Sequence, residues 1–254
     1  MDSEKIKGTQ SFARSMNVLQ LIADQYEAPG VTEILRLSGL TRPTLYRILA
    51  SLEAEGVIVK TSDKRYQLGA RLVALAHTAL AQVNVRQIAQ DALTALRDET
   101  GETVHLAVRN LNEMVYVDKI ESREVVRMAS TIGTRVPFHS SSVGKAYLAA
   151  LPKSDAEHIM DHLDYPLRTE HTSTDIQDLK DKIEIARQRG YSFDDQENED
   201  GIICFGAPIL DLSGQPVASV SISVPMFRLK ADKSHYWQPL IQRCSQISAD
   251  LGFK

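Results

Sequence analysis

The chain has 254 residues, 43% of them hydrophobic and 24% charged, with a formal net charge of −4. These proportions leave room for two domains and exclude a disulfide-stapled or low-complexity chain; Cys204 and Cys244 alone have neither metal-ligand nor disulfide-framework spacing. No apolar run approaches the ~18–20 residues of a membrane span, and MDSEKIKGTQ lacks a signal-peptide core, so a cytoplasmic protein without membrane association is expected.

Charge is uneven: residues 1–70 sum to +1 and the remainder to −5. A nucleic-acid footprint, if present, is local to the N-terminal third and modest, so useful DNA affinity calls for a dimer or more. Ser11–Gln25 reads as a first helix with Phe12, Met16, Leu19 and Ala23 on one face, and Arg14 near its start could reach a phosphate. Val31–Ser38 reads as a second helix with Val31, Ile34, Leu35 and Ser38 inward, and Gly39 supplies a turn. Thr41 suits an N-cap, and Pro43 falls in the first helical turn, where its missing N–H costs nothing. Leu45, Ile48, Leu49 and Leu52 then repeat as an apolar stripe. This leaves Arg42, Thr44, Tyr46, Arg47 and Ser51 on the flanks and outer face, a combination that suits the major groove. Val57–Val59 and Arg65–Leu68 flank Thr61–Ser62–Asp63–Lys64 as a hairpin with a charged tip, and Lys64 and Arg65 would lie along phosphates. Helix, turn, helix and hairpin together make a winged helix-turn-helix, in contrast to two amphipathic helices of an ordinary bundle.

Gly69–Val83 places Leu68, Leu72, Leu75, Ala79 and Val83 at helical spacing, with Val73, Ala76 and Leu80 making other sides apolar. A helix with so little polar surface is expected to pack on a partner chain. Val85–Glu99 is a further amphipathic helix stopped by Gly101. Thr103–Arg109 and Met114–Ile120 alternate like strands around Asn110–Leu111–Asn112, and Val125–Ser130 is expected as a third. Residues 133–151 form a loop leading into a helix ended by Pro152. Ser154 with Glu157 and Thr174 with Gln177 suit capping boxes for two more helices, the second running to Gly190. A last helix over about 232–251 should bury Trp237, Leu240, Ile241, Cys244, Ile247 and Leu251.

Chemical interest concentrates in the C-terminal part. Ile202–Leu210 and Val217–Val224 flank the turn Asp211–Leu212–Ser213–Gly214, and the second strand alternates Ala218, Val220, Ile222 and Val224 with Ser219, Ser221 and Ser223. Three small hydroxyls on one face suit a concave wall met by a polar ligand more than a plain solvent face. The loop Phe138–Gly144 opens a helix whose free N–H groups, with the serine hydroxyls, would hold an anion, unless a serine simply caps that helix. Lys145 adds positive charge there. The stretch 194–200 carries five acids, Asp194, Asp195, Glu197, Glu199 and Asp200, without the spacing of a calcium loop.

With LTRPTLYRIL (residues 40–49), GTRVPFHSSSVGKAYL (133–148) and the stretch from Gly190 to Asp211, the chain resembles the IclR family of bacterial transcription regulators over nearly its whole length. In the last stretch Gly190, Asp194, Glu197, Cys204, Gly206, Ile209 and Asp211 fit the family signature, while Phe205 and Leu210 depart from it. The resemblance implies an α+β protein: a winged helix-turn-helix over 1–68, a linker helix over 69–84, and a GAF-like effector-binding domain over 85–254 with a mostly antiparallel sheet. It places pocket positions on Ser142, Val143, Asp194, Cys204, Ser221 and Ser223, with Val125 as an apolar wall. It also implies a homodimer or dimer of dimers on a pseudo-palindromic double-stranded operator, no cofactor, and control of a catabolic operon, by repression, through a small organic acid. Asp194 beside an anion is expected to accept from a ligand hydroxyl, favouring a hydroxy acid or sugar acid.

Two other readings stand beside this one. An enzyme fused to a DNA-binding module would use Cys204 as nucleophile and needs a base, for which His105 and His139 are the candidates. A metal sensor would use His158 and His162 at i, i+4, or zinc in the pocket through His105 or His139, although no tetrahedral set is evident.

Overall fold

The computed structural model describes residues 10–81, 84–126 and 128–253. The chain divides into two compact units, Met1–Gln82 and Val83–Lys254.

In the first unit the stripe seen in the sequence is the core. Helix α1 (Gln10–Ala23), α2 (Val31–Ser38) and α3 (Arg42–Ala54) enclose Val18, Ile22, Ile34, Leu45, Ile48, Leu49 and Leu52. Each such side chain contributes about 1.5–3 kcal/mol on burial. Gly39 ends α2 at φ 64°, the left-handed conformation the turn requires. Strands β1 (Ile58–Lys60) and β2 (Tyr66–Leu68) pair antiparallel as the wing, and Ile58 and Tyr66 fill the same core. The first helix differs from the sequence reading. Phe12 and Met16 are exposed, and Val18 and Ile22 face inward, because α1 packs on α2, α3 and β2 along its other apolar stripe. Helix α4 (Ala70–Ala81) belongs to this unit and carries Val73 and Leu75 71% and 54% exposed. The expected face through Val83 ends outside the described residues.

The second unit holds a six-stranded antiparallel sheet, order β5-β4-β3-β8-β7-β6, from β3 (Thr103–Asn110), β4 (Glu113–Ile120), β5 (Arg135–Pro137), β6 (Ser192–Asp195), β7 (Ile202–Leu210) and β8 (Pro216–Pro225). Helices α5 (Asn84–Thr100) and α9 (Ser234–Asp250) pack on each other and on the sheet, with Phe205 of β7 stacked on Tyr236 of α9. Helix α6 (Ser142–Ala150) packs on β6, β7 and β8, with α8 (Ile176–Arg189) behind it. Helices on both faces of an antiparallel sheet give the α+β, GAF-like arrangement that the resemblance implied.

Several local expectations fail for identifiable reasons. No described residue of 125–130 is in a strand; the third strand on that edge is β5, paired to β4. Neither capping box forms. Helix α7 (Lys153–Met160) starts after Pro152 with no side-chain cap, and Ser154 turns to Asp155. Asp175, not Thr174, caps α8 by accepting from the N–H of Gln177. In α9 the largest inward side chain is Tyr236, while Trp237, Ile241 and Leu251 are only half-buried.

Candidate functional site

On the first unit, Arg42, Tyr46 and Arg47 project outward from α3, opposite the Leu45–Leu52 stripe, and Tyr46 is 51% exposed. Thr41 sits at the N-cap but makes no cap bond: its hydroxyl lies 2.9 Å from that of Thr44, so the pair satisfy each other at the helix start. On the wing Lys64 is exposed at the tip with φ 64°. Arg65 is committed at the base, donating to the Ala28 carbonyl at 2.8 Å and lying 3.2 Å from Asp63. Arg14 lines a cleft of about 420 Å³ between α1 and the end of α2 with Asn17, Leu37 and Leu40. An exposed helix face and a wing tip that offer cations, hydroxyls and an aromatic can bind a phosphate backbone and reach base edges.

In the second unit, residues directly paired across antiparallel strands share a face. One row therefore runs His105–Ser221–Gly206–Ser192, and the next runs Thr103–Ser223–Cys204–Asp194. The start of α6 lies on the first row: Ser192 donates to the Ser142 carbonyl at 2.6 Å, and a Cβ on Gly206 would stand 2.5 Å from that same oxygen. Only glycine lets the helix come this close. Gly144 likewise lets α6 press on the Phe138 backbone. Ser141 caps α6, accepting from the N–H of Gly144 at 3.1 Å and donating to the Pro137 carbonyl. Capping leaves the N–H groups of the first helical residues, Ser142 and Val143, without intrahelical partners, as at any helix start.

The serine face is buried, at 0%, 1% and 4% exposure for Ser219, Ser221 and Ser223, and the alternate residues are buried against α9 and α5 as well. A solvent-facing serine row is thereby excluded. The hydroxyls of Ser221 and Ser219 have no hydrogen-bond partner among the described residues, a state that costs about 1–3 kcal/mol for each buried polar group. Ser223 is engaged, with Cys204 Sγ at 3.3 Å and His105 Nδ1 at 3.3 Å. Burial of its sulfur pushes the Cys204 thiol far up, so it stays S–H and is a poor nucleophile.

The charges near this face are spoken for. Lys145 is 1% exposed and bonds Glu197 at 2.6 Å, while Lys182 holds the other Glu197 oxygen at 3.0 Å. Asp194 accepts from the N–H of Glu197 at 2.8 Å and of Asn198 at 3.4 Å, bracing the turn after β6. Burial pushes its carboxyl up to about 7, against the pull of Lys145. The hydroxyl-accepting role foreseen for Asp194 is thus in competition with its own loop. Val125 is 95% exposed and does not wall an enclosed cavity. Sequence reasoning brought His105 to the pocket only as a candidate base or zinc ligand; it left out Tyr116, stacked on that ring with centroids 4.3 Å apart, and the close approach that Gly206 permits.

Among the described residues no cluster of three or more His, Cys, Asp or Glu is placed to hold a metal. His158 and His162 contact each other, with centroids 4.7 Å apart. No described helix is long and apolar enough to cross a membrane.

Comparison with known proteins agrees with both halves of this description. The IclR helix-turn-helix model matches residues 11–62, and the model of the bacterial transcriptional regulator IclR C-terminal domain matches residues 77–249. The transcriptional repressor IclR of Escherichia coli K12 is 30% identical over 247 residues, covering 96% of this chain and 90% of that protein. The crystal structure of Thermotoga maritima IclR superposes with a TM-score of 0.73 at 33% identity, covering 96% of this chain and 99% of that one. An IclR homologue from Microbacterium hydrocarbonoxydans, solved in complex with 4-hydroxybenzoate, shares the fold with a TM-score of 0.77 at 24% identity, covering 95% and 98%. With a winged helix-turn-helix, a helix-covered antiparallel sheet and both family models in place, this chain belongs to the IclR family of DNA-binding bacterial transcriptional regulators.

Proposed function

We propose that this regulator represses a catabolic operon and that a small organic acid, held between the start of α6 and the serine face of β8, sets its affinity for the operator. The observation that carries the reading is the Ser221 hydroxyl, 1% exposed and without a hydrogen-bond partner among the described residues, on the row where α6 begins. A helix start with a free hydroxyl beside it favours an anion. Ser142, Val143, Ser221 and Ser223 make the contacts; Cys204 and Asp194 stand behind them. The 4-hydroxybenzoate complex of the Microbacterium homologue supports a carboxylic acid as ligand class. On the DNA side, Arg42, Thr44, Tyr46 and Arg47 read the major groove and Lys64 holds phosphate, with Arg14 and Thr41 as flanking contacts and Arg65 shaping the wing. The exposed apolar face of α4 supports a homodimer, and a two-fold dimer demands a pseudo-palindromic site.

The test is titration calorimetry of small carboxylates on the full chain and on Ser221→Val/Ser223→Val, with operator binding measured in parallel. The double variant should lose about 1–3 kcal/mol of acid affinity while keeping ligand-free operator binding. Wild-type acid affinity in the double variant would put the pocket elsewhere.

A further inference from the structure

The two edges of the six-stranded sheet are built differently. Edge strand β5 is guarded: it has three residues, ends in Pro137, which has no N–H to offer, and its Arg135 is held by Glu113 at 3.3 Å. Edge strand β6 carries no proline and no lysine. The N–H of Gln196 donates to the Ile202 carbonyl at 3.1 Å, and pairing alternates along an antiparallel ladder. Ser192 and Asp194 therefore turn their main-chain groups to β7. Those of Phe193 and Asp195 point away from the sheet, of which β6 is the last strand. They open on a cleft of about 410 Å³ whose walls include Ile185, Arg189, Tyr191, Phe193 and Asp195.

Apolar surface flanks this edge on both faces of the sheet. On the α8 side Ile185 is 43% exposed. On the α9 side Tyr191 and Phe193 are half-buried, with Trp237 stacked on Tyr191 at 5.3 Å. Phe193 packs on Phe205, which stacks on Tyr236 of α9, so Asp195, two residues on, faces that side too. Two exposed cations frame the edge. Lys233 lies 4.7 Å over the Phe193 ring, Arg189 ends α8, and neither pairs with a carboxylate among the described residues.

We infer that the free edge of β6 is a self-association surface, on which a second copy of this chain lays its own β6 antiparallel across a two-fold axis. The outward-pointing residues then pair Phe193 with Phe193, or Phe193 with Asp195. In either register the second copy's Asp195 lies opposite Phe193 or diagonal to it, within reach of the free Lys233. The two-fold repeats this acid–cation contact. A strand that brings no cation meets only the repulsion of Asp195, so the edge favours its own copy. The surface is distinct from the α4 face, and the two together link four chains. A four-residue edge makes it the weaker of the two, joining dimers at high protein concentration or on neighbouring operators of one DNA.

The test is sedimentation equilibrium of the full chain from micromolar to millimolar concentration. Wild type should pass from two chains to four. Asp195→Lys should weaken that second step at least about a hundredfold. Asp195→Lys/Lys233→Glu exchanges the charges and should restore it, which separates lost complementarity from misfolding. Hydrogen exchange at the Phe193 amide, which faces no acceptor on its own chain, should at millimolar concentration be at least about tenfold slower in wild type than in Asp195→Lys. Wild type that stops at two chains separated by Leu75→Glu and not by Asp195→Lys overturns the inference and leaves the edge to a strand of another protein. Equal exchange at Phe193 overturns it as well. Two chains separated by Asp195→Lys and not by Leu75→Glu uphold it and overturn the α4 dimer instead, and a wild-type monomer throughout overturns both.

Discussion

Replacing Lys145 by Met should destabilise the C-terminal unit by about 3 kcal/mol. The Lys145 side chain is 1% exposed, with its ammonium 2.6 Å from Glu197 Oε1, and the Glu197 side chain is 6% exposed. Methionine preserves most of the aliphatic stem, so the loss falls on the charge. Removing one partner of a buried pair costs about 3–5 kcal/mol, because the other charge is left desolvated and unpaired. Here Lys182 still holds the second Glu197 oxygen at 3.0 Å, which puts the cost at the lower end. For a unit of this size about 1 kcal/mol moves Tm by roughly 2–4 °C, so calorimetry should find a drop of roughly 6–12 °C. Lys145→Met/Glu197→Gln removes both charges and should recover more than half of the drop, since the stranded carboxylate is its source. Lys182→Met, at a side chain 30% exposed, should cost under about 1 kcal/mol. A Lys145→Met protein melting within about 2 °C of wild type, or a double variant no better than the single one, refutes the reasoning.

Other expectations follow from the same geometry. Burial pushes Asp194 up to about 7 from an unfolded value of 3.8, so its protonated form is favoured in the folded state; the stability it contributes is present below pH 4 and is lost as pH rises through 7. Asp194→Asn removes this dependence, and a wild-type-minus-Asn stability difference that stays flat across that window counts against it. Arg47→Ala should leave Tm unchanged and weaken operator binding, by ~1–3 kcal/mol with lost base discrimination if it meets a guanine edge. Removing a phosphate contact instead lowers the salt slope by about one and weakens all sequences alike, and operator affinity unchanged at every salt concentration shows Arg47 to be only solvated. Leu75→Glu should convert a wild-type dimer to a folded monomer in light scattering, because Leu75 is 54% exposed in the single chain. A wild-type monomer at micromolar concentration that binds operator tightly would defeat the dimer reading.

Short-range signals were readable without the structure. The Leu45–Ile48–Leu49–Leu52 stripe, the stops at Gly39, Gly101 and Gly190, and the turn at Asp211–Gly214 depend on periodicity and local backbone chemistry, which neighbours in sequence supply by themselves. The serine alternation in β8 was equally legible, since side-chain direction in a strand has period two. By contrast, α1 offered two apolar stripes of helical spacing, and only packing against α2, α3 and β2 selected Val18 and Ile22 over Phe12 and Met16. The caps at Ser154 and Thr174 matched a pattern that the actual helix starts at Lys153 and Ile176 made unusable.

The sequence by itself determined the helices, the wing, the β3–β4 and β7–β8 hairpins and the existence of a hydroxyl-bearing face, because each of these is encoded within a few residues of where it acts, whereas the short edge strands β5 and β6 were not legible. Tertiary structure alone decided what that face does. It buried both sides of β8, laid α6 on Gly206, matched Lys145 with a carboxylate 52 residues away, and left Ser221 unpaired next to a His105 that lies on β3. Burial and pairing of that kind are set by which distant segments share a low-dielectric interior, where an unmatched charge or hydroxyl is costly, and no local pattern in the chain carries that information.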